Sequence, residues 1–290
     1  MTGLSRAAAR ARRETGVHRR LPAVVAVAVL AVAGCGSAGE TATGPAGSAP
    51  SSAGASGASG ASGAPVVSGT INVFAAASLT GAFGRLGKDF QAANPGVTVT
   101  FNFGASSALA QQVVAGAPAD VFAAASPATM KTVTNAGDAT GPQVFVRNRL
   151  EIAVPADNPG EVTGLTDLAR PELKIALCAT EVPCGAAAAR VFAATGIKAA
   201  PDTLEQDVKA ALSKVQLGEV DAALVYRTDV LAAGDEVKGI AFPEADSAVN
   251  DYPVATLATA PNPAAARAFV AYVLSGEGQK VLADAGFDSP

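Results

Sequence analysis

The feature that most constrains the fold is an alternation of two apolar patterns after residue 69. Short apolar runs typical of strands alternate with stretches whose apolar residues recur at helical spacing. Strands that alternate with helices of this length indicate parallel sheets, so the chain is predicted to be an α/β protein. The predicted strands are 70–76, 97–103, 120–124, 174–178 and 221–226, and the predicted helices are 79–93, 106–115, 186–195 and 207–215.

Residues 1–35 have the order of a secretory signal. Six of the 21 basic residues precede Cys35, and the apolar run 21–33 that follows them is too short to span a bilayer. The ending Val32-Ala33-Gly34-Cys35 resembles the bacterial lipobox, in which the cysteine receives a lipid. We therefore predict lipidation at Cys35. The alternative is a cleaved signal for soluble export, and the arginine pairs give only a weak twin-arginine signal.

Residues 36–68 are almost entirely Gly, Ala, Ser, Thr and Pro. This composition buries too little apolar surface to offset the entropy of ordering, so a disordered linker is predicted. A flexible coil of this kind reaches on the order of 30 Å from its anchor. The remaining residues, 69–290, are numerous enough for two α/β lobes.

The charge and the histidine content exclude several classes of protein. After Cys35 the chain holds 15 basic and 24 acidic residues, a net charge of −9, which disfavours a nucleic-acid partner. The only histidine, His18, lies in the signal, so Ser-His-Asp, Cys-His and histidine-zinc sites are excluded from the body. We expect that the protein is not an enzyme, that it needs no cofactor and that it holds no resident metal. A serine–lysine hydrolase and the effector-binding lobe of a transcription regulator are the alternatives from other classes.

Three predicted strand-to-helix junctions carry small or hydroxyl residues. Ligands of open parallel sheets bind beyond the carboxyl ends of the strands, where helix N-termini attract anions. Considered alone, a serine at such a junction is more often a helix cap than a ligand, and a tyrosine such as Tyr226 is more often a half-buried core residue than a ligand. The three junctions are 77–80, 104–107 and 182–185, and Tyr226 ends a strand at the same edge.

These junctions resemble the periplasmic molybdate-binding protein family. The segment 73–80 is similar to the family's first strand and first anion-binding serine, and 103–110 is similar to its second serine loop. The run 115–122 resembles a further signature of the family. The segments 182–185 and 207–208 resemble two loops of the family with backbone N–H donors. The segment 225–226 resembles a strand end with a tyrosine, and 252–255 resembles the return crossing between lobes.

The resemblance implies a two-lobed periplasmic binding protein fold, type 2-like, with a ligand cleft between lobes. It places lobe 1 at about 69–147 and 253–290, and lobe 2 at about 148–252. It also implies a monomer that delivers its ligand to the permease and ATPase of an ABC importer. The expected location is the outer face of the cytoplasmic membrane, which is periplasmic if the cell has an outer membrane. The implied ligands are the hydroxyls of Ser78, Ser106 (or its neighbour Ser107) and Tyr226, and the backbone N–H groups of Ser78, Ser106, Cys184 and Val208.

The chemistry of these residue types agrees with an oxyanion. A fully ionised oxyanion has only acceptors, so neutral hydroxyl and peptide N–H donors suffice to bind it. A phosphate that keeps a proton needs an acceptor, and the implied residues include no carboxylate, although Asp207 adjoins Val208. Sulfate differs from molybdate mainly in size. The expected ligand is molybdate or tungstate, with a receptor for sulfate or another tetrahedral oxyanion as the alternative.

Cys178 and Cys184 are predicted to form a disulfide. Both follow the signal, and an oxidising compartment together with their short separation favours a bridge. Two buried free thiols, or a metal pair without further ligands, are the alternatives.

Overall fold

The computed structural model describes residues 67–290. The predicted signal, Cys35 and almost all of the predicted linker lie outside the described residues. No helix within residues 67–290 is long and apolar enough to cross a membrane.

Ten strands and eight α-helices make up the described part of the chain. The strands are β1 (Gly69–Ala76), β2 (Val97–Gly104), β3 (Val121–Ala123), β4 (Gln143–Asn148), β5 (Leu150–Pro155), β6 (Ile175–Cys178), β7 (Thr203–Glu205), β8 (Ala222–Tyr226), β9 (Val237–Ile240) and β10 (Asn250–Thr256). The helices are α1 (Thr80–Ala93), α2 (Ser106–Val114), α3 (Pro127–Asn135), α4 (Pro183–Thr195), α5 (Val208–Gln216), α6 (Arg227–Ala233), α7 (Pro263–Leu274) and α8 (Gly276–Asp284). Short 3-10 helices occur at Ala77–Leu79, Leu165–Ala169, Gly234–Glu236 and Pro243–Ala248.

The strands form two five-stranded sheets, each with its own apolar core. One sheet has the order β2-β1-β3-β10-β4, and we call the part of the chain built on it lobe 1. The other has the order β7-β6-β8-β5-β9, and we call its part lobe 2. The chain passes from lobe 1 to lobe 2 between β4 and β5, and returns at β10. The two-lobed α/β fold expected from the sequence is therefore confirmed.

The prediction of parallel sheets is wrong for one strand in each lobe. Strands β1, β2 and β3 are parallel, as are β6, β7 and β8, but β10 is antiparallel to β3 and β5 is antiparallel to β8. Each antiparallel strand is the first one after a crossing between the lobes. The chain enters the new lobe at the cleft, so this strand runs away from the cleft while its parallel neighbours run toward it.

The first predicted helix is present in the structure, and α4 begins earlier than predicted. The first predicted helix begins as the 3-10 helix Ala77–Leu79 and continues as α1, whose face with Phe83, Leu86 and Phe90 is buried in lobe 1. Helix α4 begins at Pro183, three residues before the predicted start at residue 186. The reason is that proline fits the first turn of a helix, where its missing N–H costs no intrahelical bond.

Candidate functional site

A small cavity lies between the lobes, at the carboxyl ends of β1, β2 and β8. Lobe 1 contributes the junctions after β1 and β2 together with Ala125, and lobe 2 contributes the starts of α4 and α5 and the end of β8. The cavity volume is about 20 Å³, against about 10–15 Å³ for a single water, so only a compact group fits. All five predicted binding residues line this cavity: Ser78, Ser106, Cys184, Val208 and Tyr226.

Neither serine caps a helix, although a cap was the commoner expectation. The residues at the N-cap positions before Ala77–Leu79, α1 and α2 are Ala76, Leu79 and Ala105, and none makes a side-chain cap. Ser106 Oγ instead accepts the backbone N–H of Ala125 at 3.0 Å. Ser78 Oγ lies 2.9 Å from the hydroxyl of Tyr252. Both serines are buried and line the cavity.

Position favours Ser106 over its neighbour Ser107 as the candidate ligand. Ser106 is 1 % exposed and lines the cavity, whereas Ser107 lies outside the cavity wall and is only partly buried. Successive residues of a helix point about 100° apart, so one helix start directs only one of two adjacent side chains at a ligand.

Tyr226 is completely buried rather than half-buried, and its hydroxyl is already an acceptor. The side-chain amide of Asn250 donates to the Tyr226 hydroxyl at 2.7 Å. Burial, followed by the nearby Tyr252 and Asp229, raises the pKa of Tyr226 well above its ordinary value. The phenol therefore stays protonated and can act as a donor at physiological pH.

The N–H groups of Cys184 and Val208 lie in the first turns of α4 and α5. The first four N–H groups of a helix lack intrahelical partners and carry a partial positive charge, which suits an anion. Cys184 forms the predicted disulfide with Cys178, their Cα atoms being 5.8 Å apart. The bridged loop packs so closely on α4 that a Cβ added at Gly185 would collide with the carbonyl oxygen of Ala179.

Asp207 is the one acidic residue among the described residues of the cavity wall. Its carboxylate caps α5 by accepting the N–H groups of Lys209 and Ala210 at 2.8 and 3.0 Å. The side chain thus uses two of the free N–H groups of the helix and leaves that of Val208 for a ligand. No lysine or arginine is among the described residues that line the cavity.

An ion pair connects α5 to α6, the helix that follows the strand end carrying Tyr226. Lys209 Nζ lies 2.9 Å from Asp229 Oδ1, and the Asp229 side chain is fully buried. Burial raises the pKa of Asp229, while the charge of Lys209 opposes this shift. Asp229 Oδ2 also accepts the backbone N–H of Tyr226 at 3.3 Å. The pair therefore holds the start of α5, next to Val208, against the strand end that carries Tyr226.

Four residues behind the cavity wall were not assigned to the site from the sequence. Asn250 and Tyr252 contact the hydroxyls of Tyr226 and Ser78, and Arg190 donates to Asn250 at 2.7 Å. Asn148 donates to the Tyr252 hydroxyl at 3.4 Å. The run 252–255 marked only the crossing between lobes, and no pattern distinguishes one buried asparagine from another. Their roles follow from contacts between residues up to 174 positions apart in the chain.

Two α/β lobes that enclose a compact, donor-lined cavity define a two-lobed solute-binding protein. Residues 71–288 match the family model of bacterial extracellular solute-binding proteins. The chain therefore belongs to that family.

Individual relatives agree with this family. The molybdate-binding protein ModA of Mycobacterium tuberculosis is 45 % identical over 222 residues, which cover 76 % of this chain and 85 % of the relative. The periplasmic molybdate-binding protein of Azotobacter vinelandii superposes with a TM-score of 0.67 at 22 % identity, covering 76 % of this chain and 99 % of that one. The sulfate-binding protein SubI of M. tuberculosis gives the same TM-score at 20 % identity, covering 76 % and 86 %.

These similarities confirm the resemblance drawn from the sequence. Members of a solute-binding family bind and deliver ligands, so the chain is not an enzyme and needs no cofactor, as predicted. At 20–22 % identity the two solved structures show the fold alone. Since one is a molybdate-binding and the other a sulfate-binding protein, these two structures do not decide which anion this chain binds.

Proposed function

We propose that the protein is the extracytoplasmic receptor of an ABC importer and binds molybdate or tungstate in the cavity between its lobes. One observation carries the proposal: donors from both lobes meet in one compact cavity. The proposed ligands are the hydroxyls of Ser78, Ser106 and Tyr226, and the N–H groups of Ser78, Ser106, Cys184 and Val208.

The donor set suits a fully ionised tetrahedral anion. Each oxygen of such an anion only accepts, and each proposed group can donate. Helix starts add local dipoles that act at contact distance, whereas the net negative charge of the body is screened beyond about 8–10 Å. The acidic body is therefore compatible with binding a dianion.

The carboxylate of Asp207 is the feature of the cavity wall that bears on whether phosphate can bind. A protonated oxyanion needs an acceptor, and Asp207 is the one carboxylate among the described residues of the cavity wall. Its Oδ1 accepts two N–H groups of α5, which holds the side chain as the cap of that helix. The molybdate-binding relative at 45 % identity supports molybdate over sulfate.

The test is calorimetric titration of the mature protein with molybdate, tungstate, sulfate and phosphate in matched buffer. We expect molybdate and tungstate to bind with one-to-one stoichiometry and at least 100-fold more tightly than sulfate, and phosphate to give no binding heat. Sulfate binding as tight as molybdate would replace the proposal by the sulfate-type receptor. Binding of none of the four anions would refute an oxyanion site.

We propose further that a lipid on Cys35 anchors a monomer to the outer face of the cytoplasmic membrane, where it delivers the anion to a permease and its ATPase. The support is the lipobox-like sequence 32–35 and the flexible composition of 36–68. Mass spectrometry of the exported protein should find a lipidated Cys35 at the N-terminus. An unmodified residue other than Cys35 at that end would refute the anchor.

A further inference from the structure

The side chain of Asn250 lies buried between the lobes and uses both ends of its amide. Nδ2 donates to the carbonyl oxygen of Ala125 in lobe 1 at 2.9 Å and to the hydroxyl of Tyr226 in lobe 2 at 2.7 Å. Oδ1 accepts from Arg190 Nη2 on α4 at 2.7 Å. Asn250 is 2 % exposed, so these protein groups are its partners rather than bulk water.

The neighbours determine which way the amide points. Arginine has only donors, so the group facing Arg190 must be the amide oxygen. The carbonyl of Ala125 only accepts, so the group facing it must be the amide nitrogen. These two contacts together require the NH₂ group of Asn250, rather than its amide oxygen, to face Tyr226.

This orientation has a consequence for the proton of Tyr226. A hydroxyl that accepts an N–H must direct its own proton elsewhere. One protein acceptor is nearby, the hydroxyl oxygen of Tyr252, whose ring packs edge-on against Tyr226 at 6.0 Å and which pairs in turn with Ser78. The other acceptor would be an anion oxygen in the cavity. An anionic oxygen is the stronger acceptor of the two, because charge-assisted hydrogen bonds are stronger than neutral ones.

We propose that Asn250, oriented by Arg190, is a positioning residue that makes the Tyr226 hydroxyl a hydrogen-bond donor toward the bound oxyanion. The inference rests on the proposed function, since it assigns a direction to one of the proposed anion contacts. Asn250 itself does not line the cavity, so it acts through Tyr226.

A double-mutant cycle measured with molybdate tests this role. Asn250→Asp keeps the shape of the side chain but turns its donor into an acceptor, which draws the Tyr226 proton away from the cavity. We expect Tyr226→Phe to weaken binding about 10- to 100-fold and Asn250→Leu to weaken it about 5- to 50-fold. Asn250→Asp should weaken it more than Asn250→Leu.

The decisive comparison is made in the Tyr226→Phe background. If Asn250 acts through the hydroxyl, adding Asn250→Leu to Tyr226→Phe should weaken binding by less than about twofold, because interaction terms appear as non-additivity. If Asn250 only supports the fold, the two effects should multiply, and that result would overturn the proposal. Unfolding curves of the ligand-free variants identify which of them are folded.

Arg190→Ala provides a second cycle, because this side chain is exposed on α4 and its loss should leave the fold intact. The expected loss of affinity is about 2- to 10-fold with Tyr226 present and none with Tyr226→Phe. A wild-type protein that binds molybdate while both cycles are multiplicative would refute the positioning role alone. A wild-type protein that does not bind molybdate would refute the proposed function and the positioning role together.

Discussion

Two of the three side-chain hydroxyls of the cavity accept a protein N–H, and the third is paired with another hydroxyl. Ser106 accepts the N–H of Ala125, Tyr226 accepts the amide of Asn250, and Ser78 is paired with Tyr252. Because a hydroxyl carries a single proton, an oxygen that accepts from the protein can offer that proton to a ligand. Under the proposed function, these groups would hold the anion without a positive side chain in contact with it.

Removing one hydroxyl should therefore weaken molybdate binding and leave the fold intact. A hydrogen bond to a charged partner contributes about 1.5–3 kcal/mol, so Ser78→Ala, Ser106→Ala and Tyr226→Phe should each lower the affinity by about 10- to 100-fold. Ser107→Ala is the matched control, because Ser107 is adjacent to Ser106 but lies outside the cavity wall. Calorimetry is the measurement. Equal losses for Ser106→Ala and Ser107→Ala would show that the side chain is wrongly assigned.

The raised pKa of Tyr226 predicts a pH profile. The phenol should remain a donor through moderately alkaline pH, so the molybdate affinity should be constant from pH 7 to about 9.5. The folded-state pKa lies above the unfolded value of about 10. The stability that comes from the neutral phenol is therefore fully present below pH 10 and is lost as the pH rises through the folded pKa.

Denaturant unfolding between pH 7 and 11 checks the sign of this effect. Tyr226→Phe should lose less stability than the wild type above about pH 10, because the variant lacks the group that titrates. A wild-type affinity that already falls between pH 7 and 8.5 would contradict a protonated Tyr226 donor.

The sequence and the family resemblance together identified five residues of the cavity wall but none of those behind it. Ser78 and Ser106 follow β1 and β2, whose carboxyl ends meet at one edge of the lobe 1 sheet, whereas Tyr226 ends a strand of the other sheet. Asn250, Arg190 and Asn148 take their roles from contacts across 24 to 125 residues, and no local pattern encodes these contacts.

At the scale of elements, the starts of α4 and α5 present the main-chain donors of lobe 2. Pro183 begins α4, the disulfide joins its first turn to the end of β6, and Asp207 caps α5. The periodicity of five strands and four helices was predictable because it depends on local sequence, although α4 begins three residues before its predicted start. The antiparallel directions of β5 and β10 were not, since they depend on where the chain crosses between lobes.

Substitutions of Asp207 separate its contribution to stability as a helix cap from the effect of its negative charge on anion affinity. Asparagine caps a helix about as well as aspartate, so Asp207→Asn should leave the stability nearly unchanged, whereas Asp207→Ala should cost about 1 kcal/mol. Removing the negative charge beside a dianion should raise the molybdate affinity by about tenfold at low salt. The gain should shrink at high salt.

Thermal unfolding and calorimetry of the two variants at low and high salt provide the measurements. An Asp207→Asn variant that binds molybdate more weakly than the wild type would indicate that the carboxylate contacts the ligand as an acceptor, as for a protonated anion.

At the scale of the whole molecule, the cavity depends on both lobes. Asn250 contacts lobe 1 at Ala125 and lobe 2 at Tyr226, and it begins the strand by which the chain returns to lobe 1. Near the other crossing, Arg149 pairs with Asp288 of the C-terminal segment at 3.0 Å. Ligand contacts that span this junction should stabilise the two lobes as one unit.

Molybdate should therefore raise the melting temperature of the protein in a single transition. A ligand present at 100 times its Kd adds about 2.7 kcal/mol, which corresponds to roughly 5–10 °C for a domain of about this size. Differential scanning calorimetry checks this shift, with the Tyr226→Phe protein at the same molybdate concentration as the control. Two separated transitions, with only one shifted by molybdate, would mean that the anion binds to a single lobe.

The most direct test is a crystal structure of the molybdate complex with anomalous data collected at the molybdenum edge. The account predicts one strong anomalous peak between the lobes, with anion oxygens about 2.7–3.0 Å from the hydroxyls of Ser78, Ser106 and Tyr226. The N–H groups of Cys184 and Val208 should point at the same anion. A peak outside this cavity, or an anion held by lysine or arginine side chains, would contradict the claim that neutral donors from two lobes form the binding site.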